Sequence, residues 1–354
     1  MASSKKVVVD DLFNLMNVGP YLQRYRGKID LSLNESHHQV PERIKAAIAA
    51  SLNRLHEYPL SREAVVTAEV AKFYGVASAQ VAITHGLDEA LDRLIQRFSG
   101  MRFSFFAPAF IGYKVRLKLN KIDYQVIPLD ERFAIPEDAF SRLGEDDFVI
   151  LANPNNPTGT VLDEAVLDRL QSQCGKLFID EAYIDFSNAR TRLDRLDDRT
   201  FVFRSLSKIS ALAGLRLGFL FGTAANMAPI KNQQWFCNMN IVALEAIHAI
   251  LGDEFMSDNA ALVVRGREDM QCAATELGFD VRESFGNFVL IRHSNCAHLV
   301  EFLDSLGIGV TDTSVFGLKN HVRISVGTAA ENAGLVEGLR RYASQFDMRS
   351  SSAA

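Results

Sequence analysis

The 354-residue sequence has one tryptophan, nine prolines and only four cysteines, Cys174, Cys237, Cys272 and Cys296. No two of those cysteines form a C-x-x-C pair or stand at metal-ligand spacing, so neither a cysteine-based metal site nor a disulfide framework is expected. Thiols used this sparingly in a long chain fit a reducing compartment and point to the cytoplasm. No apolar run reaches the roughly 20 residues that a membrane-spanning helix needs, so no membrane association is expected. Val7-Val8-Val9, after Lys5 and Lys6, is too short for the core of a signal peptide. There is no long Lys/Arg run, and the formal net charge is -5. That argues against a general nucleic-acid partner, which requires concentrated positive charge. Internal repeats and low-complexity linkers are also missing, and Arg349 to Ala354 reads as a tail without functional signal.

What is present is a globular composition, 48% hydrophobic and 23% charged, in a chain long enough for two domains. Short apolar runs alternate with amphipathic stretches, the pattern of an α/β protein. Strands are expected at Val81–Thr84, Phe103–Phe106, Tyr124–Pro128, Phe148–Leu151, Leu177–Ile179, Phe201–Phe203 and Leu217–Phe221. Helical spacing follows the first at Leu87, Leu91, Leu94 and Ile95. Continuous apolar strands suggest a mainly parallel sheet covered on both faces, and ligands of such sheets sit beyond the strands' carboxyl ends. Gly86, Asn156, Asp180, Tyr183, Ser205 and Lys208 all fall at those ends. After residue 240 a helical stretch, Val242 to Leu251, precedes strand-like segments at Phe288–Ile291 and Val322–Val326. The expected organisation is an N-terminal segment (1–35) packed on a smaller domain or crossing the cleft, a large domain (36–240) and a smaller α+β domain (241–354).

Ser205-Leu206-Ser207-Lys208, with Arg216 eight residues later, sets a lysine directly after two hydroxyl residues and near a guanidinium. Such a group suits a cofactor with an aldehyde and a phosphate: the amine bonds the aldehyde, and the hydroxyls and arginine hold the phosphate. Pyridoxal phosphate is that cofactor. Read alone, the segment is equally a surface turn. Asp180 ends an apolar strand, where a carboxylate is costly without a partner; a protonated pyridine nitrogen is one such partner, and an N-cap role ahead of Glu181 is the simpler reading of Asp180 alone. The Tyr183 hydroxyl and the Asn156 amide, in the rigid turn Asn153-Pro154-Asn155-Asn156-Pro157-Thr158-Gly159, can reach a phenolic oxygen. Gly86-Leu87-Asp88 opens a helix whose N–H groups can meet phosphate. Phe110 offers a face for a ring, although most phenylalanines are simply core.

Together, Asn153 to Gly159, Asp180-Glu181-Ala182-Tyr183, Ser205-x-Ser207-Lys208 and Arg216 resemble, in order and spacing, the fold-type I pyridoxal phosphate aminotransferases of class I/II. Leu33-Asn34-Glu35, Tyr58-Pro59, Gly86-Leu87-Asp88 and Arg323 to Thr328 resemble the histidinol-phosphate aminotransferase branch. The resemblance spans nearly the whole chain. It implies the fold-type I PLP-transferase architecture, with a large mainly parallel domain and a smaller α+β domain. It further implies that Lys208 carries the cofactor and moves the substrate proton. Asp180 would pair with the ring nitrogen, Asn156 and Tyr183 with the phenolic oxygen, and Phe110 would stack on the ring. Gly86, Leu87, Asp88, Ser205, Ser207 and Arg216 would surround the phosphate. Tyr58 would come from the neighbouring subunit of a homodimer with shared sites. Arg323 would clamp the substrate carboxylate, with Tyr21 and Asn34 on the substrate side. The partners are then an amino donor and a 2-oxo acid acceptor.

The sequence departs from that branch in two places. Thr311 stands where the branch carries an arginine for the substrate's phosphate, with Asp312 beside it, and Cys237 stands where an aromatic is usual. One lost charge-assisted contact costs about 1.5–3 kcal/mol, so the expected donor is an amino acid, or an amino alcohol phosphate, but not histidinol phosphate itself. Arg24, Arg26, Lys319 and His321 read as solvated side chains and not as replacements. A decarboxylase or lyase on the same scaffold, similar to threonine-phosphate decarboxylase, is the alternative reaction. A DNA-binding regulator is not expected, because only about thirty residues precede Asn34, fewer than a further domain needs.

Overall fold

The structure, a computed structural model, describes residues 25–234 and 237–346. The expectations for Tyr21, Arg24 and the C-terminal tail lie outside the described residues. Seven strands form one sheet: β1 (Val81–His85), β2 (Arg102–Ala107), β3 (Tyr124–Pro128), β4 (Asp147–Ala152), β5 (Lys176–Asp180), β6 (Thr200–Ser205) and β7 (Leu217–Phe221). Their order is β1-β7-β6-β5-β4-β2-β3. All neighbouring pairs from β6 to β3 are parallel, and β7 runs antiparallel to both β1 and β6. The sheet is therefore mixed and mostly parallel, and each of the seven expected strands lies within it.

Both faces of this sheet are covered, which explains its continuous apolar runs. Successive residues of a strand point to opposite faces. Phe148, Ile150, Phe201, Phe203 and Leu220 join one apolar cluster with Leu91, Leu94 and Ile95 of the helix Gly86–Arg97. Val149 and Leu151 face the other side, as do Val202, Phe219 and Phe221. The Phe103 and Phe148 rings stack across β2 and β4 with centroids 4.8 Å apart, and burial of each such ring contributes about 1.5–3 kcal/mol.

A second, antiparallel sheet contains β8 (Asp280–Arg282), β9 (Phe288–Arg292), β10 (Thr311–Asp312) and β11 (His321–Ser325), in the order β10-β11-β9-β8. Ile29–Asp30 pairs in parallel with Ile308–Gly309, and the segment that follows links the two sheets: Leu31 O accepts the Ser325 N–H at 2.8 Å, and Asn34 Nδ2 donates to the Tyr183 hydroxyl at 3.2 Å. Helix Ile241–Ile250 packs on helices Glu42–Ala50 and Arg62–Tyr74, whereas helix Glu254–Glu276 packs on helix Ala329–Gln345 and the second sheet. Arg267 of that helix donates to Phe186 O at 2.9 Å and Gly286 O at 2.8 Å, tying both parts together. Among the described residues, no helix is long and apolar enough to cross a membrane.

Candidate active site

The carboxyl ends of β1, β4, β5 and β6 surround one cavity of about 360 Å³. β6 ends at Ser205, whose Oγ accepts the Ser207 N–H at 3.0 Å and starts the four-residue turn Leu206–Ile209. That cap aims Lys208 into the cavity, where it lines the wall. Enclosure lowers the Lys208 amine from the usual 10.5 to about 8, with the Arg323 and Arg216 guanidinium groups adding to the effect and Glu35 and Asp180 opposing it. A lysine so placed is a ready nucleophile near neutrality.

Asp180 ends β5 on the same wall and is 4% exposed. Its Oδ2 accepts from the Tyr113 hydroxyl at 2.9 Å and its Oδ1 from the Ala182 N–H at 3.0 Å. Burial raises this carboxyl to about 6, although both hydrogen bonds and Lys208 pull it down. A cation against this carboxylate would supply what its neutral donors do not. The Tyr183 hydroxyl accepts from Asn34 Nδ2 at 3.2 Å and Asn156 Nδ2 at 3.4 Å. Phe110 closes another side, its ring edge-on to Tyr113 with centroids 5.7 Å apart.

Gly86 begins its helix at φ 69°, a left-handed conformation that suits glycine. A Cβ there would lie 2.9 Å from Arg216 Nη2. Arg216 can therefore lie across the helix start, where Nη2 reaches Asp88 Oδ2 at 3.4 Å. Leu87, Asp88, Ser205, Ser207 and Arg216 share the cavity wall with Gly214. One end thus gathers hydroxyls, a guanidinium and a helix N-terminus, a set suited to a phosphate.

Of the described predicted residues, Gly86, Asn34, Tyr58 and Arg323 do not line this wall. Arg323 is fully buried behind Asn156, donating to Asn156 Oδ1 and to Ser32 O, each at 2.7 Å. Phe316 and Phe288 flank its guanidinium at 4.9 and 5.7 Å. Tyr58 is 77% exposed. Asn34 is buried at φ 53° and bridges Tyr183 and Ser325. Thr311 pairs directly with Arg323 between β10 and β11, and its hydroxyl donates to the same Ser32 carbonyl at 2.6 Å. Sequence reasoning did not assign Tyr113, Glu35, Ala182 or Phe203 to the wall. The spacing of Tyr113, three residues after Phe110 at a helix start, was a signal for the first of these.

The profile of the family described as aminotransferase class I and II matches residues 26–339. The chain belongs to this family. It is 32% identical over 337 residues to "Histidinol-phosphate aminotransferase 2" of Dechloromonas aromatica, an alignment covering 88% of this chain and 92% of that one. A solved structure from Burkholderia pseudomallei is 36% identical, with a TM-score of 0.87 over 90% of this chain and 99% of that chain. L-threonine-O-3-phosphate decarboxylase from Porphyromonas gingivalis is 23% identical, with a TM-score of 0.78 over 89% and 99% of the two chains, and shares the fold. The protein is a pyridoxal phosphate-dependent aminotransferase of fold type I. Its cavity fits that cofactor: an amine lowered to about 8, a buried carboxylate held by neutral donors, and a phosphate-suited end lie around one space.

Proposed function

We propose that this aminotransferase moves an amino group between an amino acid and a 2-oxo acid, and that histidinol phosphate is not its preferred donor. The observation carrying this reading is Thr311. It is buried beside Arg323, and its hydroxyl is spent on Ser32 O, so this position offers a substrate phosphate neither a charge nor a hydroxyl proton. The name these relatives carry, histidinol-phosphate aminotransferase, supplies the donor against which the proposal is tested. Steady-state assays with a panel of amino donors and 2-oxoglutarate should rank histidinol phosphate below a phosphate-free donor. The highest kcat/KM for histidinol phosphate would refute the proposal.

When bound, the cofactor supplies an electron sink that stabilises negative charge at the substrate's α-carbon. The proposed roles of the chain's own residues follow from their chemistry. Lys208 would hold the cofactor at its aldehyde and, with its amine freed when the substrate's amine takes its place, would move a proton at the α-carbon. Asp180 keeps the ring nitrogen protonated, and Tyr113 holds that carboxylate in place. Asn156 and Tyr183 present hydrogen-bonding groups to the phenolic oxygen, and Phe110 covers the ring. Gly86, Leu87, Asp88, Ser205, Ser207 and Arg216 enclose the phosphate. Arg323 binds the substrate carboxylate in exchange for its present contacts, with Asn34 and Tyr21 on the substrate side.

The proposal includes a homodimer with shared sites. Its support is the exposed apolar run Leu52, Leu55, Tyr58, Leu60 and Val65, which a second copy would cover. A cytoplasmic location rests on the four free cysteines. The proposed division is a large domain of residues 36–240 and a smaller one of residues 241–354, with helix Ile241–Ile250 packed on the large domain's helices Glu42–Ala50 and Arg62–Tyr74.

A further inference from the structure

Asn259 stands on helix Glu254–Glu276, outside the strand ends that carry the cavity. It is 0% exposed, and a buried primary amide is costly unless its groups are paired. Its Nδ2 donates to Ile209 O at 2.7 Å and to Lys208 O at 3.3 Å. Its Oδ1 accepts from Ser36 Oγ at 3.4 Å and lies 2.8 Å from His38 Nδ1. Since Nδ2 is engaged with carbonyls, Oδ1 is the acceptor and His38 carries its proton on Nδ1 in this contact.

The two carbonyls belong to the turn Leu206–Ile209, which holds Lys208. A four-residue helical turn has little stability of its own, and its last carbonyls have no partner inside it. Ser205 caps the start of this turn, and Asn259 completes the other end. The acceptor-side contacts lead to the segment that carries Asn34 and Glu35. That segment is pinned at Asn34, whose N–H donates to Ser325 Oγ at 2.8 Å and whose carbonyl accepts from Asn287 Nδ2 at 3.0 Å. Ser36 and His38 are its second attachment.

We propose that Asn259 is a positioning residue for Lys208: one amide locks the backbone of the lysine's turn to the Ser36–His38 segment, fixing the amine relative to the cleft wall that Glu35 forms. This rests on the reading of Lys208 as the residue that bonds the cofactor.

The test compares wild-type protein with N259A and N259D. N259D is nearly isosteric and keeps an acceptor for Ser36 and His38, but it cannot donate to the Lys208 and Ile209 carbonyls. The first readout needs no cofactor: the rate at which Lys208 of the apoprotein is labelled by an amine-acylating reagent, mapped by peptide mass. The second is the rate of pyridoxal phosphate attachment, trapped with borohydride. The third is the split between kcat and KM. Both variants should change the acylation rate at Lys208, slow pyridoxal phosphate attachment and lower kcat by about tenfold or more, with KM within about twofold, as expected when a reacting group is misplaced by a fraction of an ångström. Wild-type acylation and attachment rates in N259D would overturn the proposal. Where neither variant folds by circular dichroism, S36A combined with H38F decides. It removes only the acceptor-side partners and should slow attachment about two- to threefold, since the donor side persists; an unchanged rate overturns the proposal. Failure of the wild-type protein to take pyridoxal phosphate on Lys208 would defeat the functional reading itself, whatever the variants do.

Discussion

Tyr113 and Asp180 lie 67 residues apart in sequence, and the tyrosine hydroxyl donates to the aspartate's Oδ2 at 2.9 Å. The carboxyl sits at about 6 because burial outweighs this bond and the one from Ala182. Removal of the tyrosine hydroxyl pushes the carboxyl further up and weakens its hold on a ring cation. Y113F should therefore bind pyridoxal phosphate about tenfold more weakly, the scale of one hydrogen bond to a charged group. Equilibrium titration of apoprotein by absorbance reads this directly. Affinity equal to wild type would show that the bond does not tune Asp180.

The same pair gives a stability prediction. A carboxyl whose folded pKa is raised favours the fold when protonated. Its contribution is present below the unfolded value of about 4 and is lost as pH rises through about 6. Glu181, raised by burial to about 7 despite Arg204, acts in the same direction. The apoprotein's melting temperature should fall between about pH 4 and 7 through these two groups. D180N should flatten that fall, and scanning calorimetry at several pH values would detect it. An identical slope in D180N would show that Asp180 is ionised in the fold from low pH.

Lys208 titrates in the opposite sense. Enclosure holds its amine at about 8, so the neutral, nucleophilic form dominates above that pH in the folded apoprotein. Pyridoxal phosphate attachment should accelerate up to about pH 8 and then level off. An exposed lysine would keep gaining towards 10.5. Stopped-flow absorbance distinguishes the two profiles, and a continued rise beyond pH 9 would place the amine in solvent.

Thr311 offers a gain-of-function test. T311R sets a guanidinium beside Arg323 on the neighbouring strand and should raise kcat/KM for phosphate-bearing donors about tenfold or more, the value of one charge-assisted contact. Phosphate-free donors should lose activity or stay unchanged. Because Thr311 is buried, the melting temperature of the variant must be read beside the kinetics. A folded T311R with no gain on phosphorylated donors would mean that this position does not face the substrate's distal end.

Legibility in the sequence followed the range of the interactions. Most strands of the large sheet, β1, β4, β5, β6 and β7, are local apolar runs ended by a polar residue or glycine, and Asp180 and Ser205 were readable as strand ends. The strands Thr311–Asp312 and Ile308–Gly309 are too short to carry a period and exist only through their partners. Asn259 acts through contacts that close over 50 or more residues, so no spacing marks it, and the spacing of Tyr113 from Phe110 does not reveal its bond to Asp180, 67 residues away. Arg323 was identified by its neighbours in sequence, but its burial behind Asn156 is a product of how the second sheet meets the Asn153–Gly159 loop. That meeting is visible in the Phe285 N–H bonded to Gly159 O at 2.8 Å.

Tyr58 allows a test of the shared site that needs no structure of the dimer. It is exposed among apolar neighbours and lies off the cavity wall of its own chain. In a dimer with shared sites, Y58A and K208A each damage both sites of their homodimers. In a mixed dimer, the Y58A protomer keeps its own Lys208 and receives Tyr58 from the K208A protomer, so one site is whole. Random reassortment by unfolding and refolding equal amounts should leave about a quarter of the sites intact, as two-fold symmetry requires. Activity of the mixture should rise above the mean of the two variants towards that fraction. If Tyr58 serves only its own protomer or none, the mixture stays at the mean, and the shared-site dimer is rejected even where sedimentation shows two copies.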